Sequence, residues 1–212
     1  MARILVLGAN GNIARIVVSR LLAETDHELA LFLRKPSRLG DVDTTRADVF
    51  EGDASDEAAL VTAMKDVDFI YANLGGNVQA EASAVVAAMK ATGVRRFIWI
   101  STLGIYDEVP GAFGRWNHKM LDDGYLPAEA AAAKAIEESG LDYTIVRPAW
   151  LSDNPEISWE TTQKGQPFKG TEVSRASIAD FVLHLIEQPS REIGHSVGVN
   201  KPGTGGDKPS WY

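Results

Sequence analysis

The sequence predicts an α/β protein: a doubly wound parallel sheet with a small C-terminal portion. Short apolar runs of strand length alternate with longer stretches of helical spacing. The early runs are almost unbroken in Val, Ile and Leu, as strands buried on both faces must be. The 212 residues suit one domain and show no internal repeat.

Arg3–Gly8 reads as the first strand, and Asn12–Ala23 as a helix whose Ile13, Ile16, Val17 and Leu21 share one face. Glu28–Leu33 is the second strand and Thr45–Gly52 a weaker third. Asp56–Lys65 is a helix with an acid at its positive end. Val67–Asn73 is the fourth strand and runs into Leu74-Gly75-Gly76. Gln79–Thr92 is an alanine-rich helix stopped by Gly93, and Arg96–Ser101 is the fifth strand. A helix over about Ala128–Ser139 stops at Gly140, and Asp142–Arg147 is a sixth strand closed by Pro148. Beyond Ala149 the rhythm loosens, with a helix near Ala176–Glu187 and a strand at His195–Val199. Residues 149–200 are read as a portion on the substrate side of one domain spanning 1–212, and 201–212 as an irregular tail.

Composition narrows the chemistry. Without cysteine, disulfides, thiolate catalysis and cysteine-bound zinc are excluded. The formal charge of −8, from 21 basic and 29 acidic residues, argues against a nucleic-acid partner. No apolar run approaches the roughly 18 residues of a spanning helix, and Met1–Leu7 lacks a signal-peptide core. The expectation is a cytoplasmic protein without membrane contact. The four histidines lack metal-ligand spacing, so no metal is expected. Asp122-Asp123 and Glu137-Glu138 read as solvated faces.

The most informative segment is Gly8-Ala9-Asn10-Gly11-Asn12-Ile13-Ala14, between the first strand and the first helix. Gly8 permits a tight turn, Gly11 a close backbone approach to a pyrophosphate, and Ala14 the packing of helix on strand. N–H groups at the helix start then face the anion. In this context the turn predicts a Rossmann-type dinucleotide site using Gly8, Asn10, Gly11, Asn12 and Ile13. Such folds usually carry an acid after the second strand to hold the ribose 2′-hydroxyl. Here Arg34 and Lys35 stand there. A guanidinium grips a 2′-phosphate that a carboxylate would repel, so NADP(H) is expected in preference to NAD(H). The alternative is that Arg34 is a plain surface arginine.

Together with Leu33-Arg34-Lys35, Glu51-Gly52-Asp53-Ala54, Ile100-Ser101-Thr102-Leu103-Gly104, Ser139 to Pro148 and Ser174 to Phe181, this turn resembles the atypical short-chain dehydrogenase/reductases, especially their NmrA-like, NAD(P)-binding branch. The resemblance covers all but the last dozen residues, and Ser-Gly-Leu-Asp-Tyr-Thr-Ile-Val-Arg-Pro is its most specific block. It implies that Asp53 and Ala54 contact the adenine, that Asn73, Leu74 and Gly75 line a ribose, and that Pro148 borders the nicotinamide. It also makes Ser101 the active-site hydroxyl. Asp53-Ala54-Ser55-Asp56 has a second reading as a turn and helix cap.

Reductases of the wider superfamily pair a tyrosine with a lysine four residues later; the lysine lowers the tyrosine's pKa and the serine steadies the oxyanion. Tyr125 is the candidate here, but Glu129 occupies the lysine position and acts in the opposite direction. Lys134, nine positions on, would face away, and Pro127 as first helical residue would leave Tyr125 outside the helix. Tyr106 is a second phenol with an equal reading as loop packing. Gly111–Tyr125, with Phe113, Trp116, His118 and Met120, reads either as an aromatic-lined substrate lid or as a satellite cluster, and His118 by default as structural.

Two functions follow. One is an NADP(H)-dependent oxidoreductase acting on a small carbonyl or quinone-like acceptor through Ser101 and Tyr125. The other is a non-catalytic redox sensor that binds NADP(H) and regulates a partner protein. A nucleotide-sugar epimerase is disfavoured, because it needs the same tyrosine–lysine pair.

Overall fold

The computed structural model describes residues 1–40, 42–43, 45–121 and 123–212. Asp122, in the Asp122-Asp123 pair, lies outside the described residues.

Strands β1 (Arg3–Leu7), β2 (Glu28–Leu33), β3 (Ala47–Glu51), β4 (Phe69–Ala72), β5 (Arg96–Ile100) and β6 (Asp142–Pro148) lie in one sheet with β8 (Glu160–Gln163) and β10 (His195–Asn200). The spatial order is β3-β2-β1-β4-β5-β6-β10-β8; every pairing is parallel except that of β10 with β8. This is a doubly wound Rossmann sheet with one antiparallel edge. β7 (Trp150–Ser152) and β9 (Glu172–Ser174) form a separate parallel pair.

The continuous apolar strands have the predicted cause. Along β1, Ile4 and Val6 enter one core while Leu5 and Leu7 enter the other. Leu29 and Leu31 alternate with Ala30 and Phe32 on β2, and Phe69 and Tyr71 with Ile70 and Ala72 on β4. Helices α1 (Asn12–Glu24) and α6 (Arg175–Glu187) pack together over the first core. Helices α2 (Glu57–Ala63), α3 (Val78–Thr92) and α5 (Tyr125–Glu137) cover the second.

The C-terminal portion is tied into the sheet more closely than the loosened rhythm suggested. β10 pairs with β6 from His195↔Thr144 to Val199↔Pro148, and β8 caps that edge. Residues 201–212 contain no helix or strand, but Tyr212 packs on Trp116 and Trp150 at ring separations of 5.0 and 5.4 Å.

Gly111–Tyr125 contains a helix, α4 (Gly111–Met120), that the sequence did not announce. Phe113 is buried in the first core, and Trp116 stacks on it and meets Trp150 at a tilt. The geometry is that of the packed cluster. Tyr125 corrects a second expectation, since it is the first residue of α5, after Gly124. Pro127 is then the third helical residue, where a backbone N–H has no intrahelical acceptor, so proline breaks nothing there. Glu137 corrects a third. It is not a solvated acid but accepts hydrogen bonds from Tyr106 Oη at 2.7 Å and Lys164 Nζ at 2.7 Å.

Two buried arginines fasten the sheet. Arg96 uses all five of its donors, on the carbonyls of Phe97, Asp142, Pro189 and Arg191 and on Thr144 Oγ1. Burial lowers its pKa to about 10, so it stays charged at neutral pH. Arg147 is fully buried and pairs with Glu108, whose carboxylate also accepts from the N–H groups of Gly104 and Tyr106 at 3.0 Å each.

Candidate functional site

The strand order reverses between β1 and β4, and at the carboxyl ends of these strands a cavity of about 590 Å³ opens. It is lined by Gly8, Asn10 and Gly11 after β1, by Phe32 and Leu33 at the end of β2 and Arg34, Lys35 and Arg38 after it, by Gly52 and Ala54 after β3, and by Asn73, Leu74, Gly75 and Glu81 after β4. Nine of the residues expected from the sequence therefore meet in one place.

The turn is shaped for close approach. Gly8 has φ +75°, and a Cβ there would lie 2.2 Å from the Asn73 carbonyl oxygen. A Cβ on Gly11 would lie 2.0 Å from Asn73 Nδ2. Gly8 is thus required by its backbone conformation and by the Asn73 carbonyl, whereas Gly11 meets only the movable end of the Asn73 side chain at close range. Gly11 N–H closes the turn onto Gly8 O at 2.8 Å, and the first intrahelical bond runs from Arg15 N–H to Gly11 O at 2.9 Å. The N–H groups of Asn12, Ile13 and Ala14 precede it. α1 has neither a side-chain cap nor an acid in its first turn, whereas Asp56, Asn77 and Ser174 cap α2, α3 and α6. α4 and α5 also lack a side-chain cap and a first-turn acid, so what sets α1 apart is that its free N–H groups open from a glycine turn onto the cavity. Asn10 Oδ1 is buried there without a hydrogen-bond partner among the described residues.

On the rim, Arg34, Lys35 and Arg38 are exposed and make no ion pair among the described residues. Three cations without ion partners among the described residues thus stand beside the glycine turn. Arg38 was not singled out from the sequence. The short 3₁₀ turn Pro36–Arg38 carries the chain back to the cavity, and Arg-Lys-Pro-Ser-Arg was the available signal. Glu81 also escaped notice, because an acid in an alanine-rich helix looks like a surface residue. It is 7% exposed, and burial, with Asp53 and Glu129 adding and Arg34 opposing, pushes its carboxyl up to about 7.

The remaining expected residues sit elsewhere. Asn12 is exposed on α1 and Ile13 is core. Asp53 is exposed, and its Oδ1 accepts from Ser55 N–H and Oγ, which hold it below the ordinary carboxylate range. This is the turn geometry of its second reading; Asp56 is the helix cap. Pro148 is buried at the end of β6 and does not line the cavity.

Ser101, just past β5, donates from Oγ to Glu129 Oε2 at 2.9 Å, and both residues are buried. With Tyr125 heading α5, Glu129 one turn on shares its face. Burial raises the Glu129 pKa, against the hydrogen bonds from Ser101 and Tyr125. The Tyr125 phenol is raised by desolvation and by Glu129. Ser101, Tyr125 and Glu129 therefore form one cluster, in which the phenol stays protonated. Lys134 is on the outside, paired with Glu138. Tyr106 is committed to Glu137 and Ser196, and His118 is half-exposed, 3.4 Å from Asp107. Among the described residues no acidic or histidine cluster could hold a metal, and no helix is long and apolar enough to cross a membrane.

Comparison with known proteins agrees with this geometry. A Rossmann-fold NAD(P)-binding family protein of Shigella flexneri is 41% identical, covers 99% of this chain and 98% of its own, and superposes with a TM-score of 0.85. A short-chain dehydrogenase/reductase of Veillonella parvula, solved in complex with NADP, is 30% identical over 99% of both chains, with a TM-score of 0.92. An uncharacterized sugar epimerase of Bacillus subtilis is 26% identical over 90% of both chains. A (4-alkanoyl-5-oxo-2,5-dihydrofuran-3-yl)methyl phosphate reductase of Streptomyces griseus is 30% identical over 74% of this chain, which spans about half of the reductase. Residues 8–189 match the family described as NAD(P)H-binding, and the chain belongs to that family.

Proposed function

We propose that the protein is an NADP(H)-dependent oxidoreductase acting on a small carbonyl or quinone-like acceptor. The observation that carries the cofactor preference is the trio Arg34, Lys35 and Arg38 on the cavity rim, without an acid in the usual ribose-binding place. The NADP complex of the Veillonella relative and the reductase relatives support the reading.

The glycine turn and the first N–H groups of α1 hold the pyrophosphate, and the three cations hold the 2′-phosphate. When bound, the reduced nicotinamide supplies the hydride. Ser101 and Tyr125 then turn their hydroxyl hydrogens from Glu129, which accepts them in the free protein, to the oxygen on which negative charge develops. Glu129 orients the Ser101 hydroxyl through the 2.9 Å bond and keeps Tyr125 protonated. The chain thus uses a neutral phenol as donor in place of a lysine-activated one.

The same cluster favours a second reading. No lysine stands beside Tyr125 to activate it among the described residues, which suits a dinucleotide sensor that regulates a partner protein. Titration with NADPH and NADH, followed by NADPH consumption with a panel of quinones and aldehydes, separates the two. Tight NADPH binding with turnover supports the enzyme. Equal affinity for NADPH and NADH overturns the NADP preference, and tight binding without any turnover moves the assignment to the sensor.

A further inference from the structure

Glu81 plays no part in the scheme above, yet it is the one carboxyl among the residues lining the cavity. It is 7% exposed, and its Oε2 is buried with no hydrogen-bond partner among the described residues. A buried carboxylate normally pairs with a cation or gathers several donors, because losing hydration without compensation is expensive. Glu81 has no ion pair among the described residues, although the Arg34 charge is felt. The charged groups acting on it come from three neighbouring elements: Arg34 after β2, Asp53 after β3 and Glu129 on α5. Two of the three are acids.

Resting on the dinucleotide reading, we propose that Glu81 contacts the bound dinucleotide as a neutral acid, donating its O–H to a ribose or phosphate oxygen, and that dinucleotide binding is thereby coupled to proton uptake. The ligand brings a pyrophosphate, so an ionised Glu81, itself buried, would face like charge, whereas a protonated one satisfies both itself and an acceptor oxygen. In the free protein burial pushes this carboxyl up to about 7, so it is divided between its two forms near neutral pH. Binding selects the protonated form and raises the pKa further. Affinity is therefore greatest below pH 7 and falls as pH rises, by up to tenfold per unit until the bound-state pKa is reached. The 2′-phosphate acts in the opposite sense. A phosphate monoester titrates near pH 6, and the basic rim selects its dianion, which releases protons. NADH, which lacks that group, isolates the Glu81 contribution.

Affinities of wild type and Glu81→Gln for NADH and NADPH are to be measured by nicotinamide fluorescence from pH 6 to 8.5. Proton exchange on NADH binding is to be measured at pH 7.5 by calorimetry in two buffers of different ionisation enthalpy. Wild type is expected to take up protons and to lose NADH affinity with rising pH; Glu81→Gln binds with a flat profile and no uptake. Proton uptake by the wild type is decisive even if the variant folds poorly. A pH-independent wild-type affinity without uptake overturns the proposal and leaves the dinucleotide reading standing. So does a Glu81→Gln variant that binds tenfold more weakly throughout, which would show that the carboxylate binds as an anion. Absence of NADPH and NADH binding at every pH overturns the dinucleotide reading itself.

Discussion

Arg34 and Arg38 reach the same rim from opposite ends of a five-residue stretch, and this sets what a single substitution does. A charge-assisted hydrogen bond contributes about 1.5–3 kcal/mol, so Arg34→Ala or Arg38→Ala is expected to weaken NADPH binding by roughly tenfold to a hundredfold. NADH affinity stays within about twofold, because that ligand has no 2′-phosphate for either side chain to grip. Parallel loss of both affinities in a fluorescence titration would show that the arginines shape the loop instead. The sequence revealed Arg34 because its distance from the glycine turn is a fixed property of the fold. It hid Arg38, whose place depends on the Pro36–Arg38 turn, and Glu81, whose burial depends on what α3 packs against. Glu129 was visible as a substitution in a motif, but its bond to Ser101 was not, because the two lie 28 residues apart.

Elements with strong local signals were legible. β2 spans the expected residues, and α1, α3, α6 and β10 differ by one residue at an end. α4 was not legible because Gly111 and Gly114 weaken its propensity and only Phe113, Gly114 and Asn117 are buried. The connection from β5 to α4 carries Ser101 and is held by Glu108 on Arg147. Glu108→Gln leaves a fully buried guanidinium without a countercharge and is expected to cost about 3–5 kcal/mol in urea unfolding. Replacing both partners, with Glu108→Leu and Arg147→Met, recovers most of that loss. A double variant no better than Glu108→Gln would show that the Gly104 and Tyr106 amides, not the ion pair, dominate.

At the scale of the molecule, the fold class followed from alternation alone, since strands that feed both cores leave no polar face to misread. The extent of the sheet did not, because β8 is polar and β7 and β9 have three residues each. Ligand bound only by the native state shifts the whole unfolding equilibrium. NADPH at a hundred times its dissociation constant stabilises by about 2.7 kcal/mol, which for a chain of this size raises Tm by about 5–11 °C. NADH at the same concentration is expected to give a smaller rise. Equal rises in a thermal melt would contradict the NADP preference.

The pairing of β10 with β6 also has a consequence for how the chain is made. During synthesis β1 to β6 and their helices emerge first, so the nucleotide turn and the second core can assemble while the first core still awaits α6 and β10. Until His195–Asn200 appears, β6 is a bare edge whose unpaired backbone invites pairing with another nascent chain. The last strand of the sheet closes that vulnerable interval, and a ribosome stalled before residue 195 would leave an aggregation-prone intermediate.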